Sequence, residues 1–431
     1  MTSYAEILAH IPRKMKYDPK VDRIGLIHGI LNALDHPQAR PMNLHICGTN
    51  GKGSTGTIIA AILQENGQKV GRFVSPAMYD DLEQVTINGA SMTEASFLKC
   101  YAQFKRGLFK QGLTQEDLSI FETFFIISVI YFASQDVDVA IYECGLGGEF
   151  DATNALGVSA YTIFTKIDMD HMQILGNTLA EIAETKSKII DPNSTVINYA
   201  GQQADVTAIL QHTASERNAA FVTESPYNIT VQAESLTYSD IQISIAEQLS
   251  PVIAFHMAGA FQIDNLQTAL TWVGTFNQTH PMETISLSTI TNALSTVSLA
   301  GRMEVVQKKP LVIIDGAHNV DGIQALVKSL GKTQRYTIIV GFLKDKDYSD
   351  AIEALKTLNA DFIIASPDNP DRALPEQELA SSFKAHGITD VRLSTNLVTT
   401  FKELTNCQHP IIVTGSFYLI NQVQAALKES E

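Results

Sequence analysis

The chain has 431 residues, of which 45% are hydrophobic and 18% are charged, and its formal net charge is −15. This length exceeds that of one common domain and predicts two, and the composition is that of an ordinary soluble globular protein. The acidic balance argues against a broad surface for nucleic acid or anionic membranes, because binding to phosphate backbones depends on lysine and arginine. We therefore expect no nucleic-acid partner, and any acidic ligand must find a local basic pocket.

The cysteines and the apolar stretches predict a reduced, cytoplasmic protein. Four cysteines lie far apart without the paired spacing of a metal site: Cys47, Cys100, Cys144 and Cys407. Each is most simply interpreted as a small buried hydrophobic residue with a reduced thiol. The chain opens without a basic-then-apolar leader, and its longest apolar stretch, residues 123–135, is shorter than the ~20 residues of a membrane helix. No membrane contact is expected.

A glycine-rich loop is the first chemical motif in chain order. It follows an apolar run and consists of Gly48, Thr49, Asn50, Gly51, Lys52, Gly53, Ser54 and Thr55, with a helical pattern after it. Glycines let consecutive N–H groups turn towards an anion, and a helix N-terminus favours negative charge. We expect Lys52 to meet the outer phosphates of a nucleotide and Ser54 or Thr55 to offer a hydroxyl to magnesium. The usual loop has four residues between its first glycine and the Gly-Lys pair, so a glycine turn without a ligand is the alternative.

Short β-branched runs alternate with helical patterns in the first half of the chain, as is typical of a doubly wound parallel sheet. We predict buried strands over residues 44–47, 137–144 and 160–165, and an apolar helix over 121–132. Ligands in such folds bind at the carboxyl ends of the strands. Residues 219–253 alternate apolar and polar side chains, which predicts antiparallel strands appended to the main sheet, with a helix from about Gln262.

Glu143 lies where one predicted strand ends, just before Gly145, Gly147 and Gly148. A carboxylate in the same sheet as a phosphate loop can hold magnesium, because that cation prefers oxygen ligands. Without the phosphate loop, a solvated or capping glutamate would be the commoner interpretation. The glycines would let a substrate approach the backbone.

A third group of polar residues lies between residues 166 and 186. His171 follows a predicted strand and could bind a metal through its neutral imidazole. Lys186 shares one face of a predicted helix with Thr178 and Ile182, at a spacing of four residues. Each residue alone means little, because a lone histidine is more often packed or at the surface and a helical lysine is usually solvated.

A second α/β series begins at residue 311. The predicted strands are residues 311–314, 336–340, 362–366, 391–394 and 411–413. We interpret them as a smaller domain whose boundary lies near residues 298–302. Polar groups at the junction and beyond, residues 301–304, 315–319 and 341–347, include an arginine and a histidine that could clamp nucleotide phosphates when the domains close.

Taken together, these motifs resemble the folylpolyglutamate synthase family of the Mur ligase superfamily, with dihydrofolate synthase as an open second activity. The resemblance is carried by residues 48–54, 75–76, 119–122, 145–148, 151–154, 170–171, 175–178, 186, 262, 265, 301–304, 315–319, 345–347 and 415–416. It spans nearly the whole chain. The variant glycine spacing is the spacing that this family uses.

The resemblance implies an α/β protein of two domains. Residues 1–297 would form a P-loop NTPase-like, doubly wound, ATP-binding domain with appended antiparallel strands, and residues 298–431 a smaller Rossmann-like glutamate ligase domain. The implied activity is ATP-dependent: a folate carboxylate is phosphorylated to an acyl phosphate, and the amine of L-glutamate then displaces phosphate. The implied cofactors are ATP and Mg²⁺, the acceptor is a folate or dihydropteroate, and the protein is expected to be a monomer.

The resemblance also assigns roles to individual residues. The implied ATP-binding residues are Gly51, Lys52, Gly53, Ser54, Asn265, Arg302, Asp315 and His318. The implied magnesium-linked residues are Ser54, Ser75, Glu143, His171 and Lys186, the last as a carbamate, and the implied catalytic residues are Lys52, Glu143, His171 and Lys186. The implied folate or pterin site is Asp151, Ala152, Thr153 and Asn154.

Four positions depart from the family pattern, and one of them is Ala300, which stands where the family commonly has a proline. Ala77, Gln84 and Glu149 stand where the family commonly has a histidine, an arginine and a basic residue. These changes remove positive charge where an acidic acceptor would pass, so a family member with a changed acceptor is one alternative. The others are a cell-wall Mur enzyme, which the Lys-Gly-Ser order disfavours, and a nucleotide-binding regulator without ligase activity.

Overall fold

The computed structural model describes residues 3–13, 21–77, 80–345 and 347–430. Lys346, in the matched segment 345–347, lies outside the described residues. The chain divides into two compact units, the first made of residues 1–228, 244–248 and 264–293 and the second of residues 229–243, 249–263 and 294–431. The division expected between residues 297 and 298 stays a prediction.

An eight-stranded sheet forms the centre of the first unit. Its strands are β1 (Met42–Cys47), β2 (Val70–Phe73), β3 (Val85–Ile87), β4 (Ala90–Ser91), β5 (Val139–Glu143), β6 (Tyr161–Phe164), β7 (Thr195–Asn198) and β8 (Ala220–Val222). Their order is β4-β3-β2-β5-β1-β6-β7-β8. The six strands from β2 to β8 in this order are parallel, whereas β3 and β4 are antiparallel to their neighbours. The predicted doubly wound parallel sheet is therefore confirmed.

The helices of this part of the chain are α1 (Tyr4–His10), α2 (Arg23–Ala33), α3 (Lys52–Glu65), α4 (Glu94–Lys110), α5 (Ile120–Ser134), α6 (Met172–Leu175), α7 (Leu179–Ser187), α8 (Ala204–Glu216), α9 (Ala260–Thr279) and α10 (Leu287–Thr296). Short 3-10 turns cover Pro37–Ala39, Asp81–Gln84, Gln115–Asp117 and Ala152–Leu156. The predicted apolar helix is α5, which is buried along most of its length. No helix within the described ranges is both long and apolar enough to span a bilayer.

Helix α5 packs closely on strand β2 because residue 71 is a glycine. The ring of Phe73 lies 5.3 Å from that of Phe121 and 5.8 Å from that of Phe125, between centroids. Phe132 covers Gly71 on the same face. Since side chains alternate along a strand, Arg72 points to the opposite face of the sheet.

We expect Gly71→Ala to destabilise the protein. A Cβ at residue 71 would lie 2.7 Å from a ring carbon of Phe132, so the ring would have to move. Overpacking of this kind costs about 1–3 kcal/mol, which urea unfolding would measure. The matched control is Gly29→Ala on α2, where the new Cβ would meet only the flexible end of Gln111, at 3.1 Å, and where alanine favours the helix. Equal losses of stability in the two variants would contradict this packing.

Within the segment 219–253, residues 220–222 form β8, a parallel edge strand of the main sheet, and the antiparallel strands that follow form a sheet of their own. They are β9 (Tyr227–Glu234), β10 (Ser239–Ile245), β11 (Gln248–Leu249) and β12 (Ile253–Phe255). The reason is that β10 buries alternate residues, including Ile241 and Ile243, and so gives this sheet its own apolar face. The antiparallel edge of the main sheet is formed by β3 and β4, joined by a two-residue turn at Asn88 and Gly89.

The second unit is built on a six-stranded sheet. Its strands are β13 (Glu304–Lys308), β14 (Leu311–Ile314), β15 (Tyr336–Val340), β16 (Ala360–Ala365), β17 (Val391–Ser394) and β18 (Ile411–Thr414), in the order β13-β14-β18-β15-β16-β17. The helices are α11 (Val320–Leu330), α12 (Tyr348–Leu355), α13 (Glu376–Ala385), α14 (Leu397–Glu403) and α15 (Phe417–Ser430). All strand pairs except β13–β14 are parallel. The predicted second α/β fold is thus confirmed.

Candidate functional site

The glycine-rich loop connects β1 to α3 and leaves the start of that helix open. Gly51 precedes the helix with φ +94°, and a Cβ there would lie 2.2 Å from Oδ1 of Asn265, so the position requires glycine. A glycine at this position supplies no side-chain oxygen to the first N–H groups of α3, which leaves them to a ligand. The backbone N–H groups of Thr49 and Asn50 donate to the carbonyl of Lys166, at 2.8 and 3.3 Å, and hold the loop against the segment after β6.

Two lysine side chains meet at a single carbonyl oxygen of this loop. The Nζ atoms of Lys52 and Lys186 donate to the oxygen of Gly48 at 2.9 and 3.1 Å. Lys186 is 4% exposed. Burial lowers the pKa of Lys52, and the neighbouring charge of Lys186 lowers it further. Two ammonium groups this close repel each other, so a bound anion, or a negative group added to one lysine, would stabilise the arrangement.

Glu143 lies at the carboxyl end of β5, against the start of α3. Its side chain is 5% exposed, and its Oε1 accepts a hydrogen bond from Nη2 of Arg72 at 3.1 Å. A Cβ at Gly56 would lie 3.3 Å from that Oε1, which shows how closely the carboxylate approaches the helix. Ser54 is buried in the first turn of the same helix. Ser75 is partly exposed and follows β2, the strand paired with β5.

This donor set fits a hard cation that keeps part of its water shell. A buried carboxylate and a hydroxyl lie at the same edge of the sheet as the phosphate loop, and both are oxygen donors. Among the described residues, no three His, Cys, Asp or Glu side chains form a metal-binding group. Mg²⁺ commonly binds through one or two protein oxygens together with nucleotide phosphates and water, so it does not need such a group.

His171 lies just before α6, with left-handed backbone geometry at φ +49°. Its side chain is 38% exposed, and its Nε2 lies 3.6 Å from Oδ2 of Asp170. The expected metal-linked role of His171 stays a prediction.

The segment predicted to bind the pterin is largely buried and holds the preceding glycine loop in place. Asp151 accepts hydrogen bonds from the N–H groups of Leu146 and Thr153, at 2.6 and 3.0 Å, and from the Thr153 hydroxyl. Ala152 and Thr153 are 5% and 0% exposed, and the Asn154 amide donates to the carbonyl of Glu149. Burial raises the pKa of Asp151, and these donors oppose the rise. The direct contribution of this segment is to the shape of the loop at residues 145–148.

A histidine supports the same segment from strand β1. Nε2 of His45 lies 2.7 Å from the Thr153 hydroxyl and 3.2 Å from Sγ of Cys144. Burial lowers the pKa of His45 to about 3, so this imidazole is neutral at physiological pH. Through these two contacts, the His45 ring connects β1 to the end of β5 and to the loop after β5.

We expect Asp151→Ala to destabilise the loop at residues 145–148. The buried N–H group of Thr153 and the partly buried N–H group of Leu146 would lose their acceptor, which costs about 2–4 kcal/mol in the free energy of unfolding. Chemical unfolding and limited proteolysis of the loop would measure the effect. Glu149→Ala, two residues away and exposed, should change stability by less than about 0.5 kcal/mol. If Asp151→Ala were as stable as the parent chain, Asp151 would not anchor the loop.

In the second unit, the expected nucleotide residues gather at the carboxyl edge of the sheet. Asp315 follows β14 and accepts hydrogen bonds from the N–H groups of Met303 and Ala317, both at 2.9 Å. Burial raises the pKa of Asp315, and the charge of Arg302 opposes that rise. Arg302 lies 5.0 Å from the ring centroid of Phe417, and the His318 ring lies 5.9 Å from it.

Two residues of these sites were missed by the sequence interpretation. Phe417 contacts both Arg302 and His318, and Arg72 contacts Glu143. The sequence did contain a signal for Arg72. An arginine that alternates with apolar residues in a short buried strand must have a partner for its charge. The signal for Phe417 was weaker, because an aromatic residue at the start of a helix is ordinary.

The geometry defines a class of protein before any comparison. A parallel α/β unit with a lysine-bearing loop at a helix N-terminus, followed by a second α/β unit, is typical of proteins that bind nucleoside phosphates. Two family models match the chain, the Mur ligase middle domain over residues 46–273 and the Mur ligase glutamate ligase domain over residues 301–417. The chain belongs to the Mur ligase family.

Individual relatives agree with this assignment. The dihydrofolate synthase/folylpolyglutamate synthase of Bacillus subtilis is 28% identical over 99% of this chain and 100% of its own length. The crystal structure of the bifunctional folylpolyglutamate synthase/dihydrofolate synthase from Yersinia pestis has a TM-score of 0.83 and 25% identity, and the match covers 99% of this chain and 98% of the other. A Mycobacterium tuberculosis folylpolyglutamate synthase complexed with ADP and AMPPCP has a TM-score of 0.82 at 24% identity, over 93% and 94% of the two chains.

Proposed function

We propose that this protein is an ATP-dependent ligase that joins the amine of L-glutamate to a carboxylate of a folate. The observation that carries the proposal is the meeting of Lys52 and Lys186 at the Gly48 carbonyl, because it concentrates positive charge at an open helix N-terminus. The likeness to relatives named folylpolyglutamate synthase and dihydrofolate synthase supports the choice of substrates. The question left open is whether dihydropteroate is a second acceptor of the same enzyme.

The reaction has two steps. An oxygen of the acceptor carboxylate attacks the terminal phosphorus of ATP, ADP leaves, and an acyl phosphate forms. The amine of glutamate then attacks the acyl carbon, the C–O bond to phosphate breaks, and phosphate leaves as the amine loses a proton. Phosphorylation is needed because a free carboxylate is a poor electrophile, whereas the acyl phosphate is a mixed anhydride whose phosphate is a good leaving group.

The residues of the loop bind and orient the phosphates in this scheme. Gly51, Gly53 and the N–H groups at the start of α3 surround them, and Lys52 offsets their negative charge. Asn265, whose Oδ1 lies beside Gly51, helps to set the nucleotide position, and we propose contacts to the nucleotide for Arg302, Asp315 and His318.

Magnesium would be held by oxygen donors of the first unit. We propose Ser54, Ser75 and Glu143 for this role, with His171 linked to it, and Lys186 once its amine carries a carbamate. When bound, Mg²⁺ offsets phosphate charge and polarises the transferred phosphoryl group. A carbamate on Lys186 would also remove one of the two facing ammonium charges, which favours that modification electrostatically.

The acceptor site carries less positive charge than the resemblance implies. The side chain of Gln84 is 6% exposed and donates to Asp81, at 3.2 Å, so it is turned towards its own segment. Glu149 is exposed beside the glycine loop. These two positions favour a changed acceptor carboxylate as the second candidate function. We further propose a monomeric, cytoplasmic protein that has no nucleic-acid partner.

ADP release by the purified protein with magnesium and ATP would test the reaction class. A ligase should release ADP only when both glutamate and an acceptor such as tetrahydrofolate are present. A nucleotide-binding regulator would hydrolyse ATP slowly whether or not either is added. Release that does not depend on glutamate would overturn the proposal.

A further inference from the structure

Arg72 has a position that the ligase reaction described above does not use. It lies on β2, with its side chain on the face of the sheet that packs against α3, because Gly71 and Phe73 face α5. Its Nη2 lies 3.1 Å from Oε1 of Glu143 and 3.4 Å from the carbonyl oxygen of Gly53. One guanidinium group therefore contacts both the carboxylate at the end of β5 and the first turn of α3, the helix that follows the phosphate loop.

The contact between Arg72 and Glu143 is weaker than another buried arginine pair of the described residues, Arg23 and Glu122. Arg23 binds Glu122 with two hydrogen bonds, from Nε at 2.8 Å and from Nη2 at 2.6 Å. Arg72 reaches its carboxylate through Nη2 alone, and its Nε is buried without a hydrogen-bond partner. A bidentate arginine–carboxylate pair is the stronger form of this interaction, and a buried N–H group without a partner costs free energy. The Arg72–Glu143 pair is therefore easier to displace than the Arg23–Glu122 pair.

Glu143 and Arg72 both approach helix α3 closely at residue 56. Residue 56 of α3 is a glycine, and a Cβ there would lie 3.3 Å from Oε1 of Glu143 and 3.5 Å from Nη2 of Arg72. Both charged groups are largely shielded from water, with side-chain exposures of 16% for Arg72 and 5% for Glu143. At such a site the carboxylate needs a positive partner in every state of the protein.

We propose that Arg72 is a positioning residue that neutralises Glu143 when no divalent cation is bound and competes with Mg²⁺ for that carboxylate. Arg72 thereby sets the Mg²⁺ concentration at which nucleotide binds tightly. The inference rests on the magnesium-linked role proposed for Glu143. It does not depend on which acceptor the ligase uses.

The experiment measures the apparent Kd of ADP by calorimetry over a series of Mg²⁺ concentrations, without acceptor or glutamate. The readout is the Mg²⁺ concentration at which half of the gain in ADP affinity is reached. Arg72→Gln should lower this midpoint about threefold to tenfold, the range expected when a partly buried ion pair no longer competes. Arg72→Lys, which keeps the charge, should stay near the parent value.

Two further variants separate competition from simpler effects. Arg23→Gln removes the Arg23–Glu122 pair and should lower the melting temperature without moving the Mg²⁺ midpoint. Glu143→Gln should raise the midpoint, and adding Arg72→Gln to it should then have no effect. A general loss of positive charge would lower the midpoint in the Glu143→Gln background as well.

The proposal is overturned if Arg72→Gln is folded and its midpoint is unchanged or raised, or if its effect persists in the Glu143→Gln background. A midpoint that Glu143→Gln does not move would remove Glu143 from the metal site, and the proposal with it. Failure of the ligase proposal would look different, because glutamate would then add to no acceptor while the Mg²⁺ midpoint still shifted in Arg72→Gln.

Discussion

Lys52→Ala is expected to abolish measurable ligation, a loss of about 10³-fold or more in turnover, while the protein remains folded. The Lys52 ammonium lies 2.9 Å from the Gly48 carbonyl and 3.2 Å from the Thr49 carbonyl, so it is held over the loop that would receive the phosphates. Its loss removes charge stabilisation that is largest while the phosphoryl group is in transit. ADP release with tetrahydrofolate and glutamate, together with the melting temperature, measures both parts of the expectation.

Lys110→Ala is the matched control for this variant. Nζ of Lys110 also donates to a backbone carbonyl, that of Ala33 at 2.7 Å, but at an exposed site. The control should keep full activity. Full folate-dependent ADP release by Lys52→Ala would remove the loop from the mechanism.

Lys186→Ala is expected to lower ligation by about 10²-fold, and acetate or bicarbonate should restore part of it. If a carbamate on Lys186 supplies an oxygen donor, a small carboxylate can occupy the space that the shortened side chain leaves. The measurement is the ligation rate with and without added acetate. Lys188→Ala, exposed and two residues further along, should have no effect.

A second measurement on Lys186 does not depend on activity. In the unmodified protein its ammonium shares the Gly48 carbonyl with Lys52, so Lys186→Met should leave the stability unchanged or raise it, because it removes a buried like charge. Unchanged activity in purified Lys186→Ala would return this residue to the role of a buried structural lysine.

The bounds of several strands could be predicted from the residues of those strands alone. Residues 311–314, 336–340 and 391–394 form strands with the predicted bounds. The first two are short apolar or β-branched runs bounded by turn residues, and the third alternates Val391 and Leu393 with polar residues. The hairpin between β3 and β4 was missed, although Asn88 and Gly89 carry the strongest short-range signal for it, with φ values of +49° and +78°. The runs beside that turn have only three and two residues, too few for their alternation to stand out.

The residues of the candidate site could be predicted from the sequence. Which of their side chains contact one another could not. The loop, Glu143 and Lys186 were found by motif and spacing. The meeting of Lys186 with the Gly48 carbonyl, and of Arg72 with Glu143, depends on the strand order β2-β5-β1-β6 and on how α3 and α7 lie beside the sheet. Distances along the sequence, 138 and 71 residues, carry no information about those neighbours.

Residues 151–154 are a second case in which the sequence did not predict what the side chains contact. Its motif was assigned to the pterin, while the structure gives Asp151 and Thr153 buried hydrogen bonds that fix the adjacent loop. A sequence motif does not distinguish a residue that touches the substrate from one that supports the loop next to it.

The most direct test of the central claim is the mass of the product. Purified protein with Mg²⁺, ATP and glutamate would be incubated with tetrahydrofolate and, separately, with dihydropteroate, and each acceptor would be weighed by mass spectrometry. We predict that tetrahydrofolate gains the mass of one or more glutamyl residues, and a gain on dihydropteroate as well would add the second activity. If neither acceptor gains mass while the protein still binds ATP, it is not a folate ligase, and its acceptor is another carboxylate.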